Sequence, residues 1–424
     1  MVFPSPTLRR ARGAVAALFL TNGALLANLL PRYPEIKAEL GLANSTYGLV
    51  LAAFPAGAIL AGLGAGALIR RLGSAPLAVA GTFLTAFGLF AASWAPAAAA
   101  LALALLLAGA CDALTDVAQN AHGLRVQRHY GRTIINSFHA VWSIGAVLGG
   151  SMSALAIALH VPLPWHLGLS GLLFAVIALV SLRYALPGKD SENVGTGSDA
   201  PGGGAGDSAV DPGRAATGPS AAFAPSRGRL ALLLGALVVI AIGGTLVEDA
   251  GNSWATLYLA RDLGAPAAIA ATGYIALVGA QFVGRLLGDS LVDRFGQRAV
   301  ARAGGAIIAL GMATALALPT VAGTVAGFAL AGLGSATLVP AAMQEADDLP
   351  GLRHGTGLTV VSWLMRLGFL VSPPIVGLIA DSTSLRVGLL VVPIAGLLVI
   401  ALSGVLGGRR TQRAPAQEAV GSGV

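Results

Sequence analysis

Residues 288–298 read "GDSLVDRFGQR": two acids and two arginines close a long apolar run, and the turn is made at Gly296. Residues 64–74, "GAGALIRRLGS", repeat that shape around Gly73 with fewer charges, 223 positions earlier. "IKAELGL" (36–42) and "LARDLGA" (259–265) are separated by the same interval, as are Gly145 of "SIGAVLGG" and Gly368 of "RLGFLVSPP". Three echoes at one spacing mark the duplication of a unit of several helices.

The duplicated unit is apolar. Of 424 residues, 55% are hydrophobic and 11% charged, with a mean hydropathy of +0.78, where a soluble domain carries about 25% charge. The 58 glycines suit close helix contacts in lipid. A run must cover roughly 30 Å of hydrocarbon, about 20 residues, to cross a bilayer as a helix. Spans are predicted near 13–32, 46–69, 75–94, 97–121, 134–158, 164–186, 230–254, 267–291, 300–318, 321–344, 356–380 and 385–406. The first run, behind Arg9, Arg10 and Arg12, has the outline of a signal peptide; eleven further spans and no clear cleavage site after Ala27 favour a retained helix. The expectation is an all-α membrane protein: residues 1–186 and 229–408 as two pseudo-symmetric six-helix bundles, 187–228 as a disordered cytoplasmic linker and 409–424 as a tail. The linker assignment rests on a stretch rich in Gly, Ser, Asp and Pro and poor in large apolar side chains.

Basic residues set the orientation. With the N-terminus inside, the inward turns hold Arg70, Arg71, Arg125, Arg128, Arg183, Arg294 and Arg298 among many others, and only Arg32, Lys37, Arg261 and Arg386 fall outside. The positive-inside rule then places both termini in the cytoplasm. It also accounts for the net charge of +7 without nucleic acid, since the bases sit in short turns and form no continuous polar face. The single cysteine, Cys111, makes an intramolecular disulfide impossible and reads as packing. No G-x-x-x-x-G-K-[ST] loop is present, and His122 and His129, seven apart in a basic turn without carboxylates, do not form a metal set. No cofactor is expected.

Two six-helix halves, a long central loop and a G-x-x-x-D-R-x-G-R-R-like turn after the second helix of each half resemble the major facilitator superfamily of secondary transporters, over nearly the whole chain. The resemblance implies that this turn clamps the halves at the cytoplasmic face. The second copy keeps Asp293, Arg294, Gly296 and Arg298, whereas the first has Arg70 and Ser74 where an acid and a base belong. "TNGALLANLLPRYPEIKAELGL", "DVAQNAHG", "SFHAVWSIG", "VEDAGNSWATLYL" and "GRLLGDSLVDRFG" are similar to the bacterial YbjJ-like branch, related to fucose permeases. Asn22, Arg32, Asp116, Asn120, His139, Trp142, Glu248, Trp254, Arg285 and Asp289 stand where that branch has recurrent residues; Leu29 and Arg366 depart from it. The G-P-x-x-G-G signature of many drug/proton antiporters is met only in part by "GAVLGG", with Ala146 in place of Pro.

A charge at the bilayer centre costs at least ~2.5 kcal/mol, so ionisable residues within spans are functional candidates by default. In span 4, Asp112, Asp116 and Asn120 share a helix face at i, i+4, i+8. Asp116 and His139 of span 5 fall at matching depth, where an acid and an imidazole exchange a proton near neutral pH; the alternative is a static contact between helices. In span 8, Arg285, Asp289 and Asp293 follow the same spacing, so the acids are expected to neutralise the arginine, forming with Asn120 and Arg294 a gate or latch. Glu248 and Asp249 precede Gly251, Asn252 and Trp254, which should loosen span 7. Adjacent residues point about 100° apart, so only one of the pair is expected to face a cavity squarely, and Glu248 is preferred. Proton coupling is thus assigned to Asp112, Asp116, His139, Glu248 and Asp249. Arg366 lies near the midplane of span 11, too deep to snorkel, and needs an acid, Glu248 or Asp116, or an anionic ligand. With Asn22, Arg32, Trp142, Asn252, Trp254 and Gln281 it makes up the substrate-binding set.

The chemistry points to a proton-coupled carrier of a small organic molecule working by alternating access, most simply a monomer in a bacterial inner membrane. Export of drug-like compounds or metabolites is favoured by the partial span-5 signature; a sugar/proton symporter is the alternative that the fucose-permease kinship offers. Two remoter readings stand beside them. "GLSG" (168–171) matches a short intramembrane-protease pattern, yet Ser170 would need a later histidine, and His354 lies in a loop. A non-transporting sensor on the same scaffold is the other.

Overall fold

The computed structural model describes residues 5–131, 134–187, 227–350, 352 and 356–407. Within them, twelve helices are long and apolar enough to cross a membrane: Pro6–Glu39, Asn44–Gly62, Ser74–Ala92, Ala98–Tyr130, Ser137–Ala158, Leu163–Tyr184, Gly228–Arg261, Ala267–Phe295, Gln297–Ala317, Val321–Asp347, Thr356–Ser382 and Leu385–Val405, spans 1 to 12 below. No strand occurs among the described residues. Helices are what lipid demands, since each backbone N–H and C=O must find its partner within the segment. The outward faces carry leucines such as Leu169, Leu172 and Leu397, all more than half exposed, as a lipid-facing surface requires. This is a multi-pass membrane protein.

Several helix ends differ from the expected positions. Span 4 runs nine residues past the expected end at 121 and stops at Gly131 in the left-handed conformation, φ 68°. His122 and His129 therefore sit on a helix and not in a turn. Hydropathy marks where hydrocarbon ends, but a helix continues into water until something caps it. Span 1 goes on through a 3₁₀ turn at Leu30–Arg32 to Glu39, and span 7 through a π turn at Gly251–Ala255 to Arg261. Span 2 stops early, at Gly62, and Ala65–Leu72 forms a separate helix with Arg70 and Arg71 in its last turn.

The repeated sequence is repeated backbone. Gly73 has φ 86°, ψ 153° and Gly296 φ 84°, ψ 154°, a region open to glycine and strained for other residues. Gly41 and Gly264, at the same interval, are also left-handed, at φ 58° and 65°. A Cβ on Gly109 would stand 2.0 Å from the Phe54 carbonyl oxygen, and one on Gly332 would stand 2.0 Å from that of Leu277. Both members of that contact are shifted by 223 residues, so the span 2–span 4 crossing recurs as the span 8–span 10 crossing.

Span 1 packs on spans 5 and 6, span 2 on span 4, and span 3 on spans 4 and 6; span 7 packs on spans 10, 11 and 12, span 8 on span 10, and span 9 on spans 10 and 12. Two six-helix groups result, joined chiefly through spans 2 and 11 and spans 5 and 8. We call the end holding Pro6 and Val405 the terminal end. At the far end the groups are locked: Asp381, closing span 11, accepts hydrogen bonds from the Asn44 and Ser45 amides at the start of span 2, at 2.9 and 2.7 Å. Tyr47 donates to the Ser253 carbonyl at 2.8 Å. Gly48 lets span 11 come so near that a Cβ would meet the Pro373 carbonyl oxygen at 2.2 Å. The expected linker lies outside the described residues apart from Pro187, Arg227 and Gly228, as does the tail 409–424.

Candidate functional site

Between the two groups lies a cavity of about 280 Å³ lined by spans 1, 2, 4, 5, 7, 8 and 11. Asn22 and Trp142, from spans 1 and 5, face Asn252 and Gln281 from spans 7 and 8, with Asp112, Glu248, Asp249 and Arg366 among the charged lining groups. Most of the remaining wall is apolar, including Leu26, Leu51, Phe54, Ile59 and Phe369.

On the side of spans 1, 4 and 5 the polar groups form one network. Asn22 donates to Asp112 at 2.8 Å, and its amide oxygen accepts from Trp142 Nε1 at 2.9 Å and from Gln119 Nε2 at 3.3 Å. Gln119 also approaches Asp116 at 3.4 Å, and Asn120 donates to the same carboxylate at 3.0 Å. Asp116 does not line the cavity; it is joined to it through Gln119 and Asn22. It lies within electrostatic reach of His139 and of Arg366 across the interface. The shared face of Asp112, Asp116 and Asn120 is thus real, but the group between them is Gln119, which is fully buried.

On the opposite wall, Gln281 donates to Glu248 at 2.8 Å, and Arg285 forms an ion pair with the same oxygen at 3.6 Å. Arg285 also donates to Ser143 of span 5 at 3.4 Å, crossing between the groups. This corrects the expected pairing of Arg285 with Asp289 and Asp293. Those two acids and Arg294 are exposed at the terminal end of span 8, where no partner is required; Glu248, whose side chain is only 20% exposed, takes the arginine. Asn120, placed with them as a gate, hydrogen-bonds to Asp116 on its own helix.

Glu248 and Asp249 both line the cavity, against the expectation of one. The helix widens into the π turn two residues later, so the neighbouring faces of span 7 both border the hollow. Glu248 is partly exposed to it, whereas Asp249 is 6% exposed and accepts from Ser253 Oγ at 3.1 Å. Its other oxygen, Oδ2, is buried beside the Ser372 hydroxyl of span 11, which acts on the carboxylate as a second hydroxyl donor.

Two residues placed in the binding set stand outside the cavity. Arg32 is 3% exposed and holds Glu35 at 2.7 Å and the Val161 carbonyl at 2.6 Å, tying span 1 to the turn before span 6. Trp254 is fully buried and packs edge-on against Tyr47 at 5.1 Å, which in turn meets Tyr33 at 6.0 Å. These three rings close the cavity towards the far end. Arg366 borders the cavity beside a break in span 11 at Met365, whose carbonyl accepts from Thr245 at 3.1 Å. Ser170 donates to the His166 carbonyl of its own helix at 2.8 Å, so its hydroxyl is occupied by backbone.

Sequence reasoning passed over Gln119, Tyr33, Tyr274, Ser143 and Ser253. Gln119 was within reach: it lies seven residues, two helical turns, after Asp112 and therefore on the same face. The two tyrosines carry no such signal, because tyrosine in a span reads as an interfacial anchor.

Comparison with known proteins places this arrangement. The model of the Major Facilitator Superfamily matches residues 15–289 and 249–422. The chain is 30% identical over 404 residues to the uncharacterized transporter y4wD of Sinorhizobium fredii, covering 92% of this chain and 97% of that one. It is 29% identical over 403 residues to the membrane protein MosC of Rhizobium meliloti, at 95% and 91% coverage. Among solved structures, an inward-facing, unoccupied bacterial homologue of the human lysosomal transporter Spinster superposes with a TM-score of 0.68 at 13% identity, over 95% of this chain and 98% of that one.

Proposed function

The chain belongs to the Major Facilitator Superfamily, and from that premise we propose that it is a proton-coupled carrier that moves a small organic molecule by alternating access. The observation that carries this reading is the shared hollow: ionisable groups from both six-helix groups, costly in lipid, border one cavity that is bridged at its far end. Residues 1–186 and 229–408 act as the rocking bundles, 187–228 as the linker between them and 409–424 as a tail. With both termini in the cytoplasm of a bacterial inner membrane, as the basic turns favour, the locked far end is the outer face and the state is inward-facing. Within the superfamily the motifs quoted above support the YbjJ-like branch, and a monomer suffices, because each monomer carries both halves of the cavity.

Coupling runs through the two polar networks. Protonation of Asp112 or Asp116 removes the charge that Asn22, Gln119 and Asn120 now solvate, and protonation of Glu248 releases Arg285. Each event changes contacts that one face of the alternation makes and the other does not. The direction we favour is export: the wall is mostly apolar, as a site for compounds with apolar bodies requires. A sugar/proton symporter is the second reading, supported by the amides of Asn22, Asn252 and Gln281 beside Trp142.

The test is flux. Purified protein in proteoliposomes with an imposed pH gradient should transport ligands selected by a thermal-shift screen and show substrate-dependent proton movement, which Asp116→Asn or Glu248→Gln lowers by about tenfold or more. Proton movement that is absent, or unchanged in both variants, overturns coupling by these acids. Uptake of sugars alone would establish the symporter reading.

A further inference from the structure

Charge is unevenly distributed around the cavity. Asp112, Asp116, Glu248 and Asp249 border it or join it by hydrogen bonds, while the guanidinium groups near it are those of Arg285 and Arg366. Arg285 is engaged with Glu248 at 3.6 Å, and Arg366 acts on Asp116. Among the described residues the donors to these two acids are neutral: the Asn22 amide for Asp112, and the Ser253 and Ser372 hydroxyls for Asp249. Four carboxylates thus face two guanidinium groups and, at Asp116, the His139 imidazole, while among the described residues neither Asp112 nor Asp249, on opposite walls of the hollow, is in an ion pair. Aromatic rings stand beside both: Trp142 shares Asn22 with Asp112, and Tyr33 and Tyr274 line the cavity near Asp249 and Glu248.

Unneutralised carboxylates in a partly dry site take up protons or a cation, and the faces of Trp and Tyr favour a cation over a neutral group of the same shape. We infer that the substrate is an organic monocation, an amine small enough for a hollow of about 280 Å³, which replaces a proton on Asp112 or Asp249. This rests on the carrier reading above and names its substrate class. The exchange balances in charge and atoms: the carboxyl group gives up its proton to water as the ammonium arrives, and the carboxylate left behind pairs with it. A second proton re-forms the acid when the ammonium leaves.

The groups that bear on the exchange come from spans 1, 2, 4, 7 and 11. Asp112 is faced by Cys111 and Asp116 on its own helix and by Asn22 of span 1. Asp249 is faced by Glu248 beside it, Tyr33 of span 1, Tyr47 of span 2 and Ser372 of span 11. None of these is cationic; Arg366, on the wall of the same hollow, is the like charge from which a bound amine must stand clear.

The experiment measures binding to the full-length protein in detergent, which requires no transport. Three probes share one ring and differ in charge: tyramine, cationic; tyrosol, neutral; and 4-hydroxyphenylacetate, anionic. Tyramine should bind on the order of tenfold more tightly than either partner, tighten as pH rises from about 6 to about 8, where its amine stays protonated, and release a proton on binding in weakly buffered solution. Asp112→Asn and Asp249→Asn, checked for folding by size-exclusion chromatography, should each reduce the preference and the proton release, and the double variant should abolish both. Equal or tighter binding of the neutral or anionic probe, no binding of tyramine, or binding without proton release overturns the inference. Failure of the carrier reading shows separately, as absent pH-driven flux in proteoliposomes while the charge preference in detergent persists.

Discussion

Gln119 has one amide nitrogen and two claims on it, Asn22 Oδ1 at 3.3 Å and Asp116 Oδ1 at 3.4 Å, while its own oxygen is buried without a donor. It is the link by which an acid away from the cavity wall reaches the residues on that wall. If Asp116 takes up a proton, the amide gains by turning its oxygen to accept it, and the bond to Asn22 is then lost. Gln119→Leu keeps the bulk and removes the link. Two buried acceptors lose a donor, at a cost of about 1–3 kcal/mol each at most, so a lower melting temperature is expected. The sharper readout is pH: proton-driven flux in the variant should lose its dependence on Asp116, so that adding Asp116→Asn changes nothing further. An additive effect of the two substitutions would show that Gln119 is not the link.

At the scale of elements, the far end is held where span 2 begins. Asp381 of span 11 caps the first two amides of a helix in the other group, where the unpaired N–H groups and the positive helix end both favour a carboxylate. Opening the far end must break these bonds. A cap of this kind contributes about 1 kcal/mol, which corresponds to a population change of about fivefold. Asp381→Ala should therefore raise the reactivity of a Ser253→Cys probe, in a Cys111→Ala background, towards an impermeant maleimide by about that factor in sealed vesicles. Unchanged reactivity would show that the cap does not hold the closed state. The same scale explains the elements hydropathy placed imperfectly: span 4 and span 7 outrun their apolar windows because helix ends obey capping, and Gly131 and the π turn at Gly251–Ala255 are not visible to a hydropathy scan.

At the scale of the molecule, the twelve spans among the described residues form two groups whose repeated contacts, Gly109 on Phe54 and Gly332 on Leu277, lie at the interval first seen in the sequence. If the stretch between the groups only tethers them, deleting residues 192–222 should leave flux and melting temperature unchanged; loss of the folded protein would contradict the linker assignment. The number of spans, the duplication and the set of ionisable residues within spans were all legible in the sequence. Each depends on one helix at a time: on its length against the bilayer, its composition and its turn residues. Which of those residues meet was decided by tertiary structure. Arg285 had two acids on its own helix at helical spacing, yet its ion pair is with Glu248 of span 7; Glu248 and Asp249 both border the hollow; and Arg32 and Trp254 serve the closed end and not the cavity. Partner choice between helices depends on how each is rotated and how closely it approaches its neighbours. Those quantities are set by packing across many residues, and the local pattern of any one span does not contain them.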